Sequence, residues 1–146
     1  MLLCLCGCHK VSKSNTLQND ITTYLQGKQA TVGISVLDDS CNIVSYNDTV
    51  SMPTLSVFKF PVALTVLHQM DIRHTPVDTV LHISPSEMKP GTYSPLRDRY
   101  PDQPFAISMD SLLYYSIVQS DNNACDILLT YAGGPEAVNK YIRSLD

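Results

Sequence analysis

Two polar motifs, each at the start of an apolar helical segment, constrain the fold of this chain more than any other feature. The first is Ser56-Val57-Phe58-Lys59, and mostly apolar residues follow it as far as Met70. The second is Ser120-Asp121-Asn122, and another apolar stretch follows it. Apolar residues at this spacing predict a helix with a buried face. The sequence therefore predicts two core helices that each carry polar side chains at the N-terminal end.

The spacing of Ser56 and Lys59 suits nucleophilic catalysis. A serine hydroxyl is a weak nucleophile until a neighbouring base takes its proton, and residues three apart on a helix share one face. A buried lysine loses its proton more readily than an exposed one, which fits Lys59 for the role of base. The helix dipole and the free N–H groups at the same end would stabilise a developing oxyanion. In the second motif, Ser120 offers a relay hydroxyl and Asn122 offers a polar group for a substrate amide.

The chain contains a second match to the first motif, in a different context. Ser86 and Lys89 have the same spacing, but Pro90-Gly91 follows at once and predicts a turn. Without a helix, neither the shared face nor the helix dipole is available. We therefore predict that Ser56, and not Ser86, is the nucleophile.

With both motifs, the chain resembles the class A serine β-lactamases, a family that carries S-x-x-K, S-D-N and a later K-T-G. Three further segments, within a match from about Leu17 to Asp146, carry the resemblance. They are similar to the family's first β-hairpin (31–46), its active-site-rim tyrosine segment (93–95) and two helices joined by a double glycine (122–144). The residue pattern is closest to that of the divergent extended-spectrum subgroup of class A. S-x-x-K-x-Pro is also similar to class D enzymes and penicillin-binding proteins, but class D carries Ser-x-Val in place of Ser-Asp-Asn.

The resemblance implies an α/β (α+β) serine β-lactamase and penicillin-binding-protein-like transpeptidase fold, with an antiparallel sheet and a helical domain. It also implies hydrolysis of β-lactam antibiotics, with Ser56 attacking the lactam carbonyl and Lys59 acting as base or within the proton relay. Ser120 would pass the proton to the departing nitrogen, Asn122 would bind the side-chain amide of the drug, and Tyr93 would pack against the bound lactam. No metal or organic cofactor is implied, and the complete protein is expected to be a monomer.

The motif set is incomplete within these 146 residues. No K-T-G occurs in the sequence, and residues 17–146 resemble only the N-terminal part of the catalytic domain. The resemblance therefore predicts that the omega loop with its deacylating glutamate, and the K-T-G strand, lie beyond Asp146. A truncated gene model, a partial sequence and a decayed gene all fit this pattern. We expect the present chain to be inactive alone, with an unpaired strand edge and an uncovered core face.

Residues 1–16 form a separate segment, a candidate signal or lipoprotein tail. The apolar run from Met1 ends in Leu-x-Gly-Cys at Cys8, which resembles the lipobox of bacterial lipoproteins. The run is far shorter than the about 20 residues that span a bilayer, and no positive charge precedes it. A frayed tail with incidental cysteines fits equally well. Because β-lactamases meet the drug outside the cytoplasm, we expect an exported protein, periplasmic or lipid-anchored to a bacterial membrane.

Composition and charge narrow the range of partners. The formal net charge is −4 and no basic run occurs, which argues against a nucleic-acid partner. The four histidines show no metal-ligand spacing. Cys41 and Cys125 do not predict a disulfide, and Cys125 is expected to be a small core residue. A small-molecule β-lactam is the expected partner.

Local patterns predict elements outside the motifs. Apolar residues at helical spacing predict a helix over 17–25, and alternation predicts a hairpin with strands at 32–36 and 43–46. The segment 76–91 is rich in turn residues and is expected to be irregular.

The helix boundaries near the motifs can also be predicted. Ser108 or Asp110 caps the helix that precedes the second motif, and Gly133-Gly134 ends the helix that follows it. If the first core helix begins near Ser56, Pro61 lies just past its first turn and bends it slightly.

The sequence is also compatible with two other functions. A penicillin-binding protein or D,D-peptidase shares the serine nucleophile but releases the drug slowly, and the glutamate loop separates it from a β-lactamase. A non-catalytic remnant or lipid-anchored binding module is the alternative from a different class. A test of whether the chain as given folds in soluble form would distinguish this alternative from the enzymes.

Overall fold

A computed structural model describes residues 13–39, 41 and 43–145 of the chain. Cys8 and the rest of the candidate tail before residue 13 lie outside the described residues. The helices in the described part are α1 (Lys13–Leu25), α2 (Lys59–Ile72), α3 (Pro95–Arg99), α4 (Met109–Ile117), α5 (Asn122–Tyr131) and α6 (Pro135–Arg143). The strands are β1 (Ile34–Leu37), β2 (Ile43–Tyr46), β3 (Val80–Ile83) and β4 (Phe105–Ser108). None of the described helices is both long enough and apolar enough to cross a membrane.

The chain divides into two compact units, Met1–Pro53 and Thr54–Asp146. The first unit contains α1 and an antiparallel hairpin in which Ile34 pairs with Tyr46. Val44 of β2 is buried, and α1 lies against this strand. The helix and the hairpin predicted from periodicity are both confirmed.

The core of the second unit lies between α2, α4 and α5, and α6 packs on α2. Leu96, Met109, Leu112 and Leu128 are fully buried in it. Cys125 is 1% exposed, and burial raises the pKa of its thiol. The prediction that Cys125 is a core residue is confirmed, and its thiol is a poor nucleophile at neutral pH.

The segment around Ser56 is not part of α2, which corrects the predicted helix start. Residues Leu55–Phe58 form a 3₁₀ turn, and the α-helix begins at Lys59. Pro61 is therefore the third residue of α2, inside the first turn, where backbone N–H groups have no acceptor within the helix. A proline at this position requires no bend.

The prediction that segment 76–91 is irregular is wrong. β3 pairs antiparallel with β4, with Val80 opposite Ser108 and Ile83 opposite Phe105. Ile83 and Phe105 are both buried, and a 3₁₀ turn at Pro85–Glu87 follows β3. A strand of four residues between turns shows too little alternation to be recognised from its own sequence.

Polar caps and glycines set the boundaries of α4, α5 and α6. Ser108 Oγ accepts a hydrogen bond from Ser111 N at 3.2 Å, so Ser108, and not Asp110, caps α4. Gly134, with a φ of 88°, separates α5 from α6, and Pro135 opens α6. The predicted boundary at the double glycine is confirmed.

One face of α2 is open, so the helix is less buried than its apolar sequence predicts. Phe60 is 61% exposed and Leu67 is 41% exposed, although Val66 is fully buried. An open cavity of 770 Å³, lined mainly by apolar side chains, lies between this face, β4 and α4. Val118 at its edge is 65% exposed. An exposed surface rich in apolar side chains usually marks a contact with another molecule or segment.

Candidate active site

Ser56 lies on an exposed 3₁₀ turn immediately before α2. The preceding residue, Leu55, has a φ of 46°, in the left-handed region that a leucine side chain disfavours. Val57 N donates to Thr54 O at 3.1 Å and closes the turn. The turn therefore presents the Ser56 hydroxyl to solvent from strained backbone, which is a common feature of functional sites.

Lys59, the first residue of α2, is only 2% exposed. Its ammonium donates to Ser120 Oγ at 3.1 Å, to Asn122 Oδ1 at 2.8 Å and to the backbone carbonyl of Ser120. Three acceptors match the three N–H groups of a lysine, so the buried charge is fully hydrogen-bonded. Lys59 thereby joins the first motif to the second.

Ser120 lies between the lysine and the first serine. Its hydroxyl donates to Ser56 Oγ at 3.0 Å and accepts from Lys59 Nζ at 3.1 Å. Its φ of 53° is uncommon for a residue with a side chain, and the next residue anchors the loop through Asp121 N to Tyr115 O at 2.9 Å. The sequence predicted that Lys59 reaches Ser56 across one helix face. The structure instead connects them through Ser120.

Asp121 is fully buried and holds the loop in place. Its carboxylate accepts from Ala124 N at 2.9 Å, which caps α5, and from Leu96 N at 2.7 Å in α3. The Ser94 hydroxyl lies 3.0 Å from both carboxylate oxygens. The carboxylate therefore ties α3, α5 and the Ser-Asp-Asn loop together, and it has no surface open to a substrate.

We predict that Asp121→Ala lowers the free energy of unfolding by about 2–4 kcal/mol, because it removes a helix cap and leaves buried donors without an acceptor. Chemical denaturation of the complete polypeptide that the gene encodes measures the change. The control is Asp71→Ala, which removes an exposed carboxylate near the end of α2 and should change the same quantity by no more than about 0.5 kcal/mol. Equal effects of the two substitutions would contradict the structural role of Asp121.

Asn122 lies half-buried beside the relay and bonds through both ends of its amide. Oδ1 accepts from Lys59, and Nδ2 donates to Thr92 Oγ1 at 2.7 Å. Tyr93 is 63% exposed, and its backbone carbonyl accepts from Asn122 N at 3.1 Å. The structure thus brings the Tyr93 segment to the site and leaves the ring at the surface. Thr92 was missed, because no motif marks it and its only signal is its place before Tyr93.

The second S-x-x-K match does not form a comparable group. Ser86 Oγ bonds to Ser84 Oγ at 2.8 Å, whereas Lys89 Nζ pairs with Asp126 at 2.8 Å in another direction. The Lys89 side chain is 68% exposed. The geometry therefore favours Ser56 over Ser86.

The arrangement is suited to moving a proton to and from a serine hydroxyl. An exposed hydroxyl, a bridging hydroxyl and a buried amine lie in one hydrogen-bonded line, which is the minimum needed for base-assisted acyl transfer. In the part of the chain that the structure describes, no cluster of three His, Cys, Asp or Glu side chains is placed to hold a metal ion.

The chain is similar to known proteins over nearly its whole length. A sequence profile of the "Beta-lactamase enzyme family" matches residues 15–146. The chain belongs to the β-lactamase enzyme family. Among members of this family, a β-lactamase of Bacteroides uniformis is 48% identical over 99% of this chain and 49% of its own length. The extended-spectrum β-lactamase PER-1 of Pseudomonas aeruginosa is 33% identical over 92% of this chain and 44% of its own length.

Solved structures of β-lactamases share the fold. A class A β-lactamase from Bacteroides cellulosilyticus DSM 14838 superposes with a TM-score of 0.82 at 46% identity, over 90% of this chain and 48% of that one. The extended-spectrum β-lactamase TLA-1 superposes with a TM-score of 0.85 at 35% identity, over the same shares of the two chains, 90% and 48%. The predicted fold class and the resemblance to class A β-lactamases are confirmed. The chain spans about half the length of the curated relatives it matches.

Proposed function

We propose that the protein containing this chain hydrolyses β-lactam antibiotics through an acyl-enzyme on Ser56. The observation that carries the proposal is the line of hydrogen bonds joining Lys59 Nζ, Ser120 Oγ and Ser56 Oγ. The two curated relatives support it, since both are named as β-lactamases. A serine activated through a neighbouring base is a general solution for acyl transfer.

The proton relay in this proposal runs through Ser120. For this relay the Lys59 ammonium, which donates to Ser120 Oγ in the resting structure, must first lose one proton. The Ser56 hydroxyl then donates to Ser120 Oγ, and the Ser120 hydroxyl donates to the resulting amine, after both hydroxyls rotate from their resting directions. As Ser56 Oγ bonds to the lactam carbonyl carbon, its proton is relayed to Lys59. The proton then returns through Ser120 to the lactam nitrogen as the C–N bond breaks. Water later cleaves the ester and restores the Ser56 hydroxyl.

Asn122 and Tyr93 bind the substrate in this proposal. One N–H of the Asn122 amide is bonded to Thr92, which leaves the second N–H to donate to the carbonyl of an acylamino side chain on the drug. Tyr93 is exposed beside it and offers a flat aromatic surface for the bound lactam. The two residues would therefore orient the lactam carbonyl toward Ser56.

Peptide mass mapping tests the proposal. Incubating the complete polypeptide with a slowly hydrolysed β-lactam should add the mass of the drug to the peptide that contains Ser56, and nitrocefin should be hydrolysed in parallel. A stable adduct on Ser56 without turnover would favour a penicillin-binding protein or D,D-peptidase. An adduct on Ser86 would overturn the assignment of the nucleophile, and the absence of any adduct would favour a non-catalytic remnant.

We further propose that the protein is exported and acts in the periplasm, or on a bacterial membrane through a lipid on Cys8, as a monomer. The support for the lipid is the Leu-x-Gly-Cys sequence, which lies outside the described residues. Metabolic labelling with a fatty acid should mark the wild-type protein and not Cys8→Ser. Equal labelling of the two, or none in either, would contradict the lipid anchor.

We predict that residues 1–146 expressed alone turn over no nitrocefin and are poorly soluble. The open cavity beside α2 exposes Phe60 and Leu67, and each sheet in the described residues has two strands with outer edges free to pair. Centrifugation of a cell extract and a nitrocefin assay of the soluble fraction measure both properties. A cooperative thermal transition together with nitrocefin turnover by the purified chain would overturn this prediction.

A further inference from the structure

One buried amide holds the turn 89–92, which leads into Tyr93. Asn123 is fully buried in the first turn of α5. Its Oδ1 accepts from Lys89 N at 2.8 Å, and its Nδ2 donates to Lys89 O at 3.2 Å. The side chain therefore pairs with the backbone of Lys89 as a neighbouring strand would, and both ends of its amide are engaged.

Arg97, in α3, holds the same turn from a second direction. Its Nη1 donates to Lys89 O at 3.1 Å and to Thr92 O at 2.9 Å. One guanidinium nitrogen thus links the first and last residues of the turn. The side chain is 28% exposed, so these bonds are partly shielded from water. A planar guanidinium bonded to two carbonyls fixes the distance between them.

The turn ends at Thr92, whose hydroxyl contacts the candidate active site. Thr92 Oγ1 accepts from Asn122 Nδ2 at 2.7 Å. Asn122 and Asn123 are adjacent on α5, and their side-chain amides bond to opposite ends of the same turn. Asn123 bonds to Lys89 and Asn122 bonds to Thr92. The Asn122 amide also accepts from Lys59, which leaves it little freedom to rotate while Thr92 is in place. The position of the turn and the bond from Lys59 together set the direction of the Asn122 amide.

We propose that Asn123 and Arg97 are positioning residues that give the site its preference for β-lactams with an acylamino side chain. They hold Thr92 against Asn122, so that the remaining N–H of Asn122 is aimed at the side-chain carbonyl of the substrate. This inference rests on the proposed function. Neither residue is bonded to Ser56, Ser120 or Lys59 in the described structure, so their removal leaves the hydrogen bonds of the relay in place.

The test compares two penicillins as substrates of the complete polypeptide. Benzylpenicillin has an acylamino side chain, and 6-aminopenicillanic acid has the same nucleus without the acyl group. Arg97→Ala and Asn123→Ala should each lower kcat/KM for benzylpenicillin about tenfold, as expected for one misaligned hydrogen bond. The loss should lie mainly in KM, because binding and not the chemical step is affected, and kcat/KM for 6-aminopenicillanic acid should change by less than about twofold.

Arg143→Ala is the matched control, because Arg143 is exposed at the end of α6 and belongs to no part of the site described above. Arg143→Ala should leave kcat/KM unchanged for both benzylpenicillin and 6-aminopenicillanic acid. If Asn123→Ala fails to fold, Arg97→Ala decides the question alone, since its partly exposed side chain can be removed without emptying the core. Equal losses for the two penicillins, or an unchanged preference in Arg97→Ala, would overturn the inference and leave the proposed function standing. A wild-type protein that hydrolyses neither penicillin would overturn both.

Discussion

Replacing Ser56 with alanine is expected to lower kcat/KM for β-lactams by about 10⁴-fold or more, because it removes the hydroxyl that we propose attacks the lactam carbonyl. Ser120 cannot take over the attack without leaving its place between Lys59 and the first motif. Nitrocefin hydrolysis by the complete polypeptide measures the loss, and circular dichroism confirms that the variant is folded.

Ser86→Ala is the matched control for this substitution. Both changes remove an exposed hydroxyl from a 3₁₀ turn that is followed by a lysine three positions on. The Ser86 variant should keep its rate within about twofold of the wild type, as surface substitutions usually do. Comparable losses in the two variants, or a drug adduct that persists in Ser56→Ala, would contradict the assignment of Ser56.

Lys59→Ala is expected to lower kcat/KM by about 10³-fold or more, because it removes the proposed base and the bonds that align Ser120 and Asn122. The second motif would lose its link to α2, so both proton transfer and substrate orientation would suffer. Steady-state kinetics with nitrocefin and with a penicillin measure the loss in kcat/KM that the two effects, on proton transfer and on substrate orientation, produce together.

The control for the lysine is Lys89→Ala. Its side chain forms an exposed ion pair with Asp126, and such pairs contribute little to the stability of the fold. The backbone bonds between Lys89 and Asn123 remain in this variant. Its kcat/KM should therefore stay within about twofold of the wild type. Similar losses in the two lysine variants, with both proteins folded, would rule out a special role for Lys59.

The residues that the structure brings together in the candidate site could be identified from the sequence because short spacings define them. Ser56 and Lys59 are three positions apart, and the Ser-Asp-Asn motif is contiguous. The placement of Ser120 between Ser56 and Lys59 could not be predicted, since it depends on where the helix begins. The α-helix begins only at Lys59, and the boundary between a 3₁₀ turn and an α-helix leaves little trace in sequence. Ser120 consequently lies between two residues that were expected to touch.

Features that depend on distant partners were missed for a different reason. β3 is four residues long and is defined by its pairing with β4 more than by its own pattern. Thr92, Arg97 and Asn123 are ordinary polar residues until the fold brings the turn 89–92 against α3 and α5. Asn123 is even adjacent to the second motif, yet only its tertiary contacts distinguish it from a surface asparagine.

The bonds of Ser120 have a consequence for the order of folding. The bond to Lys59 joins residues 61 positions apart, and the bond to Ser56 joins residues 64 positions apart. Closing loops of this length costs chain entropy that local helix formation avoids, so α2 and α5 can form before the relay exists. A compact intermediate with native helical content would therefore lack the relay that we propose activates Ser56. During refolding, acylation of Ser56 should appear later than the far-ultraviolet circular dichroism signal, which makes a β-lactam a kinetic probe of helix docking.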